Sequence, residues 1–304
     1  MSGDSAVLPA LSRPNALAGI ALLIGATACF ATLDTTTKFV TASVPLLMAL
    51  WFRYLFQAVA TTAAVLPRRG WRVFRTRHLP WQILRGVLLL GGSLLAFLAL
   101  RFLPVGEFTA IMMIAPLVVT LLAALLLKER VSGLRWALVA GGFAGILVII
   151  RPGGASFGWT SLLPLGSVVC NAAFQVLTSR LARTEDPVTM HLYTGWTGSL
   201  LSTLALPFVW TSVADPTLWG LMCLMGLMAS IGHFLLILAY YRAPAATLTP
   251  YLYAQIAFAM LGGALVFEHV PDHLSLLGIA MIAFCGAAGA WLTVRERREA
   301  ESPA

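Results

Sequence analysis

Ten long apolar stretches divide this chain, and nearly all its arginines fall in every second gap between them. Hydrophobic residues make up 59% of the 304 and charged ones only 11%, against roughly a quarter charged in a soluble domain. Mean hydropathy is +0.88. Crossing a bilayer takes about 20 mostly apolar residues, so ten spans occupy most of the chain and leave short connections. They read as Asn15–Val40, Val44–Leu66, Gln82–Leu100, Val105–Leu127, Gly133–Ile150, Ser156–Leu181, Val188–Trp210, Pro216–Tyr240, Ala245–Phe267 and His273–Val294. In lipid, backbone polar groups need partners within their own segment, which makes these spans helices. None of them alternates apolar and polar residues as a barrel strand does. The expected class is an all-α integral membrane protein with ten transmembrane helices.

The cations fix the orientation. Arg68, Arg69, Arg72, Arg75 and Arg77 follow span two. Lys128, Arg130 and Arg135 follow span four, Arg180 and Arg183 follow span six, and Arg242 follows span eight. With Arg13 in the head (residues 1–14), Arg85 at the start of span three, and Arg295, Arg297 and Arg298 in the tail (295–304), 16 of the 20 Lys and Arg share one side. Positive residues stay cytoplasmic, so both termini are expected there. The net charge of +8 is this topology signal rather than a nucleic-acid surface, and some of these cations are expected to meet anionic lipid. Ala26-Thr27-Ala28 has the small-x-small look of a cleavage site, but the apolar run continues past it and cleavage would remove part of span one. Cys29, Cys170, Cys223 and Cys285 all fall within spans and form no C-x-x-C pair, so neither disulfides nor a metal site is expected.

Leu98–Thr109 and Leu238–Thr249 align at a shift of 140 residues. Leu98, Ala99, Pro104 and Thr109 meet Leu238, Ala239, Pro244 and Thr249. Glu129 and Val131 meet Glu268 and Val270, while Lys38 and Pro45 meet Arg180 and Pro187. These matches imply two copies of a five-span unit, residues 15–150 and 156–294. Five is odd, so the second copy enters the membrane from the opposite side. Inverted repeats of this kind are common in secondary transporters, where two halves rock about a midplane site. Spans five and ten carry small residues at spacing four, Gly141 with Gly145 and Gly286 with Ala290. That spacing reads as a mutual contact, as the face of a homodimer, or as a by-product of glycine-rich helices.

The blocks Leu103-Pro104 through Leu126-Leu127-Lys128-Glu129-Arg130 and Ala243-Pro244 through Val266-Phe267-Glu268, with Leu50-Trp51-Phe52-Arg53-Tyr54, resemble the drug/metabolite transporter superfamily, in its EamA-type ten-helix branch. The resemblance covers roughly Asn15 to Val294. It implies a bacterial inner-membrane exporter of amino acids, drugs or other small metabolites, and the layout looks most like the YddG-type amino-acid exporters. The second half has Gly195 where the repeat places Arg53, so whatever Arg53 does is done once.

Ionisable groups within spans are functional candidates by default. Asp34 and Arg53 sit at similar depth on adjacent spans and are expected to approach, directly or through water. Lys38, four residues on from Asp34, shares its helix face and is expected to share its carboxylate. These residues read either as a polar wall of a substrate cavity or as a structural ion pair. Asn171, Gln175 and Thr178 form an i, i+4, i+7 stripe that should face inward. Trp51, His191, Trp196, His233, Tyr251, Tyr253 and Gln255 are further cavity candidates, with interhelical packing as the alternative. Met112 and Met113 offer an adaptable apolar lining. Glu129 and Glu268 end spans four and nine as gate residues or as plain end charges. The remaining tryptophans (Trp71, Trp81, Trp136, Trp159, Trp210, Trp219, Trp291) fall near span ends, as interfacial anchors do.

No Gly-Lys pair exists for a P-loop, and no H-E-x-x-H occurs. No cofactor is expected. The reading is a secondary transporter that exports amino acids and related metabolites by alternating access, working on a small-molecule substrate within the lipid bilayer. Amphipathic drugs or cations are the alternative cargo. An intramembrane enzyme and a sensor are the alternative classes.

Overall fold

Proline and aspartate set where several helices begin. Asp186 and Asp215 precede Pro187 and Pro216, and their carboxylates accept the backbone N–H groups of Val188 and Thr217 at 2.9 and 2.8 Å. A proline at the first helical position has no N–H to leave unpaired, and the aspartate satisfies the next donor. The computed structural model describes residues 16–115, 117–118, 133–151, 159–181, 184–243, 248 and 251–301. Among these, eleven α-helices and two short 3₁₀ segments form the chain, with no strand. The helices are α1 (Ala16–Val40), α2 (Leu46–Arg69), α3 (Leu79–Leu100), α4 (Val105–Met112), α5 (Gly133–Ile150), α6 (Leu163–Leu181), α7 (Pro187–Thr203), α8 (Leu206–Val209), α9 (Pro216–Arg242), α10 (Ala254–Phe267) and α11 (His273–Glu301).

Four of them are long and apolar enough to cross a membrane, namely α1, α2 with its 3₁₀ extension to Phe74, α3 and α9. Segments α6, α10 and α11 hold shorter apolar helices. The expected seventh span is not continuous. It breaks between α7 and α8, where Pro207 sits in the first turn of α8 and cannot donate back to the preceding turn. Of the expected fourth span only α4 and a few following residues are described, and Glu129 lies outside the described residues.

Each major packing pair joins the first half to the second. Helix α1 lies along α9, α3 along α6, α2 along α7, and α5 along α11, while α10 packs on α1 and α4. The pairs run antiparallel. On α1, Gly19, Gly25 and Cys29 approach Ala243, Leu235 and Gly232 of α9 in descending order. Helices α3 and α6 repeat the arrangement. A Cβ on Gly166 would meet Leu95 Cδ1 at 3.0 Å, as one on Gly25 would meet Leu235 Cδ1 at 3.4 Å. A Cβ on Gly92 would meet Cys170 Cβ at 3.2 Å, as one on Gly232 would meet Cys29 Cβ at 3.1 Å. Cys29 and Cys170 thus do the same packing job in the two halves. All four cysteines are free.

Two expectations about packing change. Gly141 and Gly145 press on α11, but their partners are Cys285 and Gly278. Gly145 and Gly278 are close enough for each to face the other's carbonyl oxygen, and this small-residue face is therefore used within the chain rather than by a second copy. Gly286 instead leaves room for the Tyr253 ring, which would collide with any Cβ there. Ala290 falls within α11. Of the tryptophans, Trp71, Trp81, Trp136, Trp159, Trp210 and Trp291 all lie on the outer surface, while Trp219 donates to the Val213 carbonyl at 3.0 Å.

Ion pairs tie the halves together at both ends of the bundle. At the arginine-rich face Arg69 meets Asp186 at 2.6 Å, and Glu185 accepts the Arg77 N–H at 3.0 Å. At the other face Arg151 donates to Asp272 at 2.5 and 2.6 Å. That guanidinium, with the Ser275 N–H, holds the Asp272 carboxyl well below the usual carboxylate range.

A central cavity and two buried arginines

A cavity of about 110 Å³ lies between the halves, walled by α1, α2, α3, α4, α6, α9 and α10. Asp34, Arg53, Met112, Met113, Asn171, Gln175, His233 and Gln255 all line it. Phe30, Phe97, Phe108 and Phe174 supply most of its aromatic surface.

Arg53 is buried, 2% exposed. Its Nη1 donates to Ser93 Oγ at 2.7 Å and its Nη2 lies 3.0 Å from His233 Nε2. The guanidinium sits 4.6 Å from the Tyr54 ring, and Tyr54 OH shares Ser93 Oγ at 3.0 Å. Its Nε has no partner, nor has His233 Nδ1. The imidazole is boxed by Phe30 and Phe174, with ring centroids at 4.9 and 5.9 Å. Ser93 and His233 stand 140 residues apart, the spacing of the repeat. The single arginine thus touches the same position in each half.

Asp34 lines the same cavity but forms no ion pair with Arg53. Its Oδ2 accepts from Gln255 Nε2 at 3.4 Å. Lys38 turns away from it altogether. Its Nζ donates to the Leu100 and Leu103 carbonyls at 2.8 Å each, because the carbonyls left unpaired at the end of α3 attract a cation. The expected Asp34–Lys38–Arg53 network is therefore split across two places.

On α6, Gln175 Nε2 donates to Asn171 Oδ1 at 2.5 Å, and Tyr240 OH donates to Gln175 Oε1 at 3.0 Å. The third member of the stripe, Thr178, faces a separate polar cluster. There Arg85, expected among the face cations, is fully buried. Its Nη1 donates to Thr178 Oγ1 at 3.2 Å, and its Nη2 donates to Thr194 Oγ1 at 2.6 Å and to the Met190 carbonyl. His191 belongs to this cluster and not to the cavity wall, with Gln57 Nε2 3.3 Å from its Nδ1 and 3.2 Å from its carbonyl.

Several other candidates lie off the cavity. Trp51 on α2 donates to Thr203 on α7 at 2.9 Å, and Trp196 on α7 donates to Thr62 on α2 at 3.0 Å. The two bonds are reciprocal, and both pin the α2–α7 seam. Tyr253 packs into the notch at Gly286. Tyr251 is exposed. Glu268 ends α10 in the left-handed conformation with its side chain exposed, and its neighbour His269 is the residue that reaches Glu107, at 3.7 Å. The sequence reading passed over Ser93, Gln57, Gln82 and the buried state of Arg85. Polar residues at spacing three on α3, Gln82 and Arg85, were the signal that pointed to them.

An all-helical bundle with a polar-lipped cavity between its halves defines a membrane transporter. Residues 17–151 match the EamA-like transporter family. A riboflavin transporter of Rhizobium johnstonii is 31% identical over 97% of both chains. One of Vibrio cholerae is 32% identical over 74% of this chain and 76% of that one. An S-adenosylmethionine uptake transporter of Rickettsia bellii is 24% identical over 82% and 85%. A solved crystal structure superposes with a TM-score of 0.65 over 93% of this chain and 99% of the other, at 22% identity, a likeness of fold. The chain belongs to the EamA-like transporter family of the drug/metabolite transporter superfamily. The relatives are named for riboflavin and S-adenosylmethionine, which takes the particular likeness away from amino-acid exporters.

Proposed function

We propose that this protein is a secondary transporter of the bacterial inner membrane, with both termini cytoplasmic, that moves a flat heterocyclic metabolite of the riboflavin class by alternating access. The observation that carries this reading is the cavity's composition. Phenylalanine rings wall it, while Arg53 and Asp34 face it without pairing. Rings favour a flat, apolar body, and a few placed polar groups fix its orientation. An imide edge, with two carbonyl oxygens flanking an N–H, suits a guanidinium fork beside a carboxylate acceptor. Asn171, Gln175 and Gln255 can then hold the hydroxyls of a polyol tail. Arg53 disfavours purely cationic cargo, since like charges repel across a dry cavity. The relatives named as riboflavin transporters support the same choice. They are the reason to prefer it over export of free amino acids.

Alternating access draws support from the packing pairs. Exchanging the five segments of one half with those of the other leaves the pattern unchanged. The pair α1–α9 becomes α6–α3, and the pairs α2–α7 and α5–α11 map onto themselves. Two halves packed this way can rock about an axis through Arg53. The present cavity of about 110 Å³ is well below the roughly 300 Å³ of a typical ligand pocket, so loading requires that it widen.

The test is counterflow in proteoliposomes with labelled riboflavin, S-adenosylmethionine, amino acids and cationic dyes, with and without a pH gradient. Saturable riboflavin exchange is expected. Amino-acid exchange with no riboflavin exchange would overturn the reading.

A further inference from the structure

Arg85 poses a separate question from Arg53. It is fully buried, and no carboxylate among the described residues lies within ion-pair distance of it. A buried charge without a counter-charge is expensive, and in a membrane protein it marks a functional site by default. Three hydrogen bonds to Thr178, Thr194 and the Met190 carbonyl hold its two terminal nitrogens, but Nε is left without a partner. Gln82, one helical turn earlier on α3, is also fully buried, and neither its Oε1 nor its Nε2 is bonded. Gln57, which meets α7 at His191 beside Met190, has an unbonded Oε1 as well. Buried amides are normally paired, so four orphaned polar atoms around one segment of α7 form a site short of its partner.

Its position gives it a role. Arg85 and Ser93 are eight residues apart on α3, about 12 Å along the axis at 1.5 Å per residue. Arg85 lies toward the arginine-rich face, whereas Ser93 holds Arg53 at the cavity. Phe174 joins the two places, since its ring lines the cavity and lies 5.3 Å from the Arg85 guanidinium.

We propose that Arg85, Gln82, Gln57 and His191 form a second binding station, between the central cavity and the arginine-rich face, for the oxygen-bearing edge of the cargo. An acceptor edge released by Arg53 passes Phe174 and is received by Arg85, so the cargo is not stripped of hydrogen bonds on the way. The station rests on the transport reading but not on the choice of riboflavin.

A charge-selective labelling experiment tests it. In a variant lacking the four native cysteines, Gln82→Cys and, separately, Thr194→Cys are exposed in detergent to methanethiosulfonates carrying a sulfonate or a trimethylammonium group. Trp71→Cys, on the exposed surface, serves as the control for reagent activity. At least one buried cysteine is expected to react, with a sulfonate-to-ammonium rate ratio roughly tenfold above that at Trp71→Cys, a bias that Arg85→Gln removes. Both cysteines staying unreactive in protein that elutes as a single folded species would overturn the proposal, as would labelling with no charge preference. Saturating riboflavin is expected to slow the labelling. Labelling that keeps its charge bias but ignores riboflavin would retain the station and overturn the riboflavin reading instead.

Discussion

The two halves of this molecule agree where they pack and disagree where they face the cavity. Cys29 on Gly232 and Cys170 on Gly92 make the same contact, and so do Gly25 with Leu235 and Gly166 with Leu95. Around the cavity the same spacing pairs Phe30 with Asn171, Leu33 with Phe174, Asp34 with Gln175, Ser93 with His233 and Ala115 with Gln255. Helix packing tolerates little change in volume, because close-packed backbones leave no slack. A cavity wall has no partner atoms to clash with and can diverge. One half has come to contribute the charges, Asp34 and Arg53, and the other the neutral amides and the imidazole. A symmetric frame thereby holds an asymmetric site, which is what orienting an asymmetric cargo requires.

Removing the unmatched arginine should have the largest effect. Arg53→Ala leaves Ser93 and His233 without their shared donor and is expected to lower riboflavin counterflow about 100-fold, on the scale of 2–5 kcal/mol for stripping one member of a buried charged pair. Normal kinetics in that variant would remove Arg53 from the site. Moving the carboxylate across the pair is the next test. The double variant Asp34→Gln with Gln175→Asp keeps composition and volume, yet it is expected to stay about tenfold below the native rate, on the scale of one misplaced hydrogen bond to a charged group. Full activity would mean the two walls are interchangeable and the asymmetry incidental.

The packing side of the comparison predicts smaller and matched effects. Gly92→Ala and Gly232→Ala should each destabilise the bundle by about 1–3 kcal/mol, the range for overpacking a tight contact. Gly232→Ala is expected to be the worse of the two, because its Cβ also meets the Phe30 ring at 2.8 Å. Thermal unfolding in detergent reads the difference, and a neutral result at both sites would break the equivalence. The least effect belongs to the exposed Arg151–Asp272 clamp. Because the folded Asp272 carboxyl is held below its ordinary value of 3.8, its contribution is present above that pH and is lost as the pH falls through the folded value. Asp272→Asn should therefore flatten stability only below about pH 4, leaving the melting temperature at pH 7 nearly unchanged, since exposed pairs contribute little. A large shift at pH 7 would make the clamp a structural lock.

Much of the frame was legible in the residues. The segments set by apolar length agree with the described helices to within a few residues at Val40, Leu100, Ile150, Leu181 and Pro216, because burial in lipid leaves the backbone no alternative to a helix. The shift of 140 residues located Ser93 opposite His233 even though neither side chain resembles the other. Asp34, Arg53, Asn171 and Gln175 were placed on the cavity because polar groups have no use facing lipid. Other side chains escaped this reasoning. Spacing along α1 put Lys38 beside Asp34, yet the carbonyls ending α3 are a better partner for it. Periodicity also made Gly286 a companion of Gly141, although the Tyr253 ring occupies that notch.

Composition and charge order by themselves determined a helical membrane protein and its internal duplication, since both follow from how many apolar residues lie between which cations. Which long side chain reaches which partner was decided only by the tertiary structure. Arg85 shows why. In the sequence it stands six residues into α3, near a run of arginines that water and headgroups can solvate. The bundle closes over it with α6 and α7, so its charge must be met by hydroxyls and a carbonyl from segments about a hundred residues away, and no local pattern records that distance.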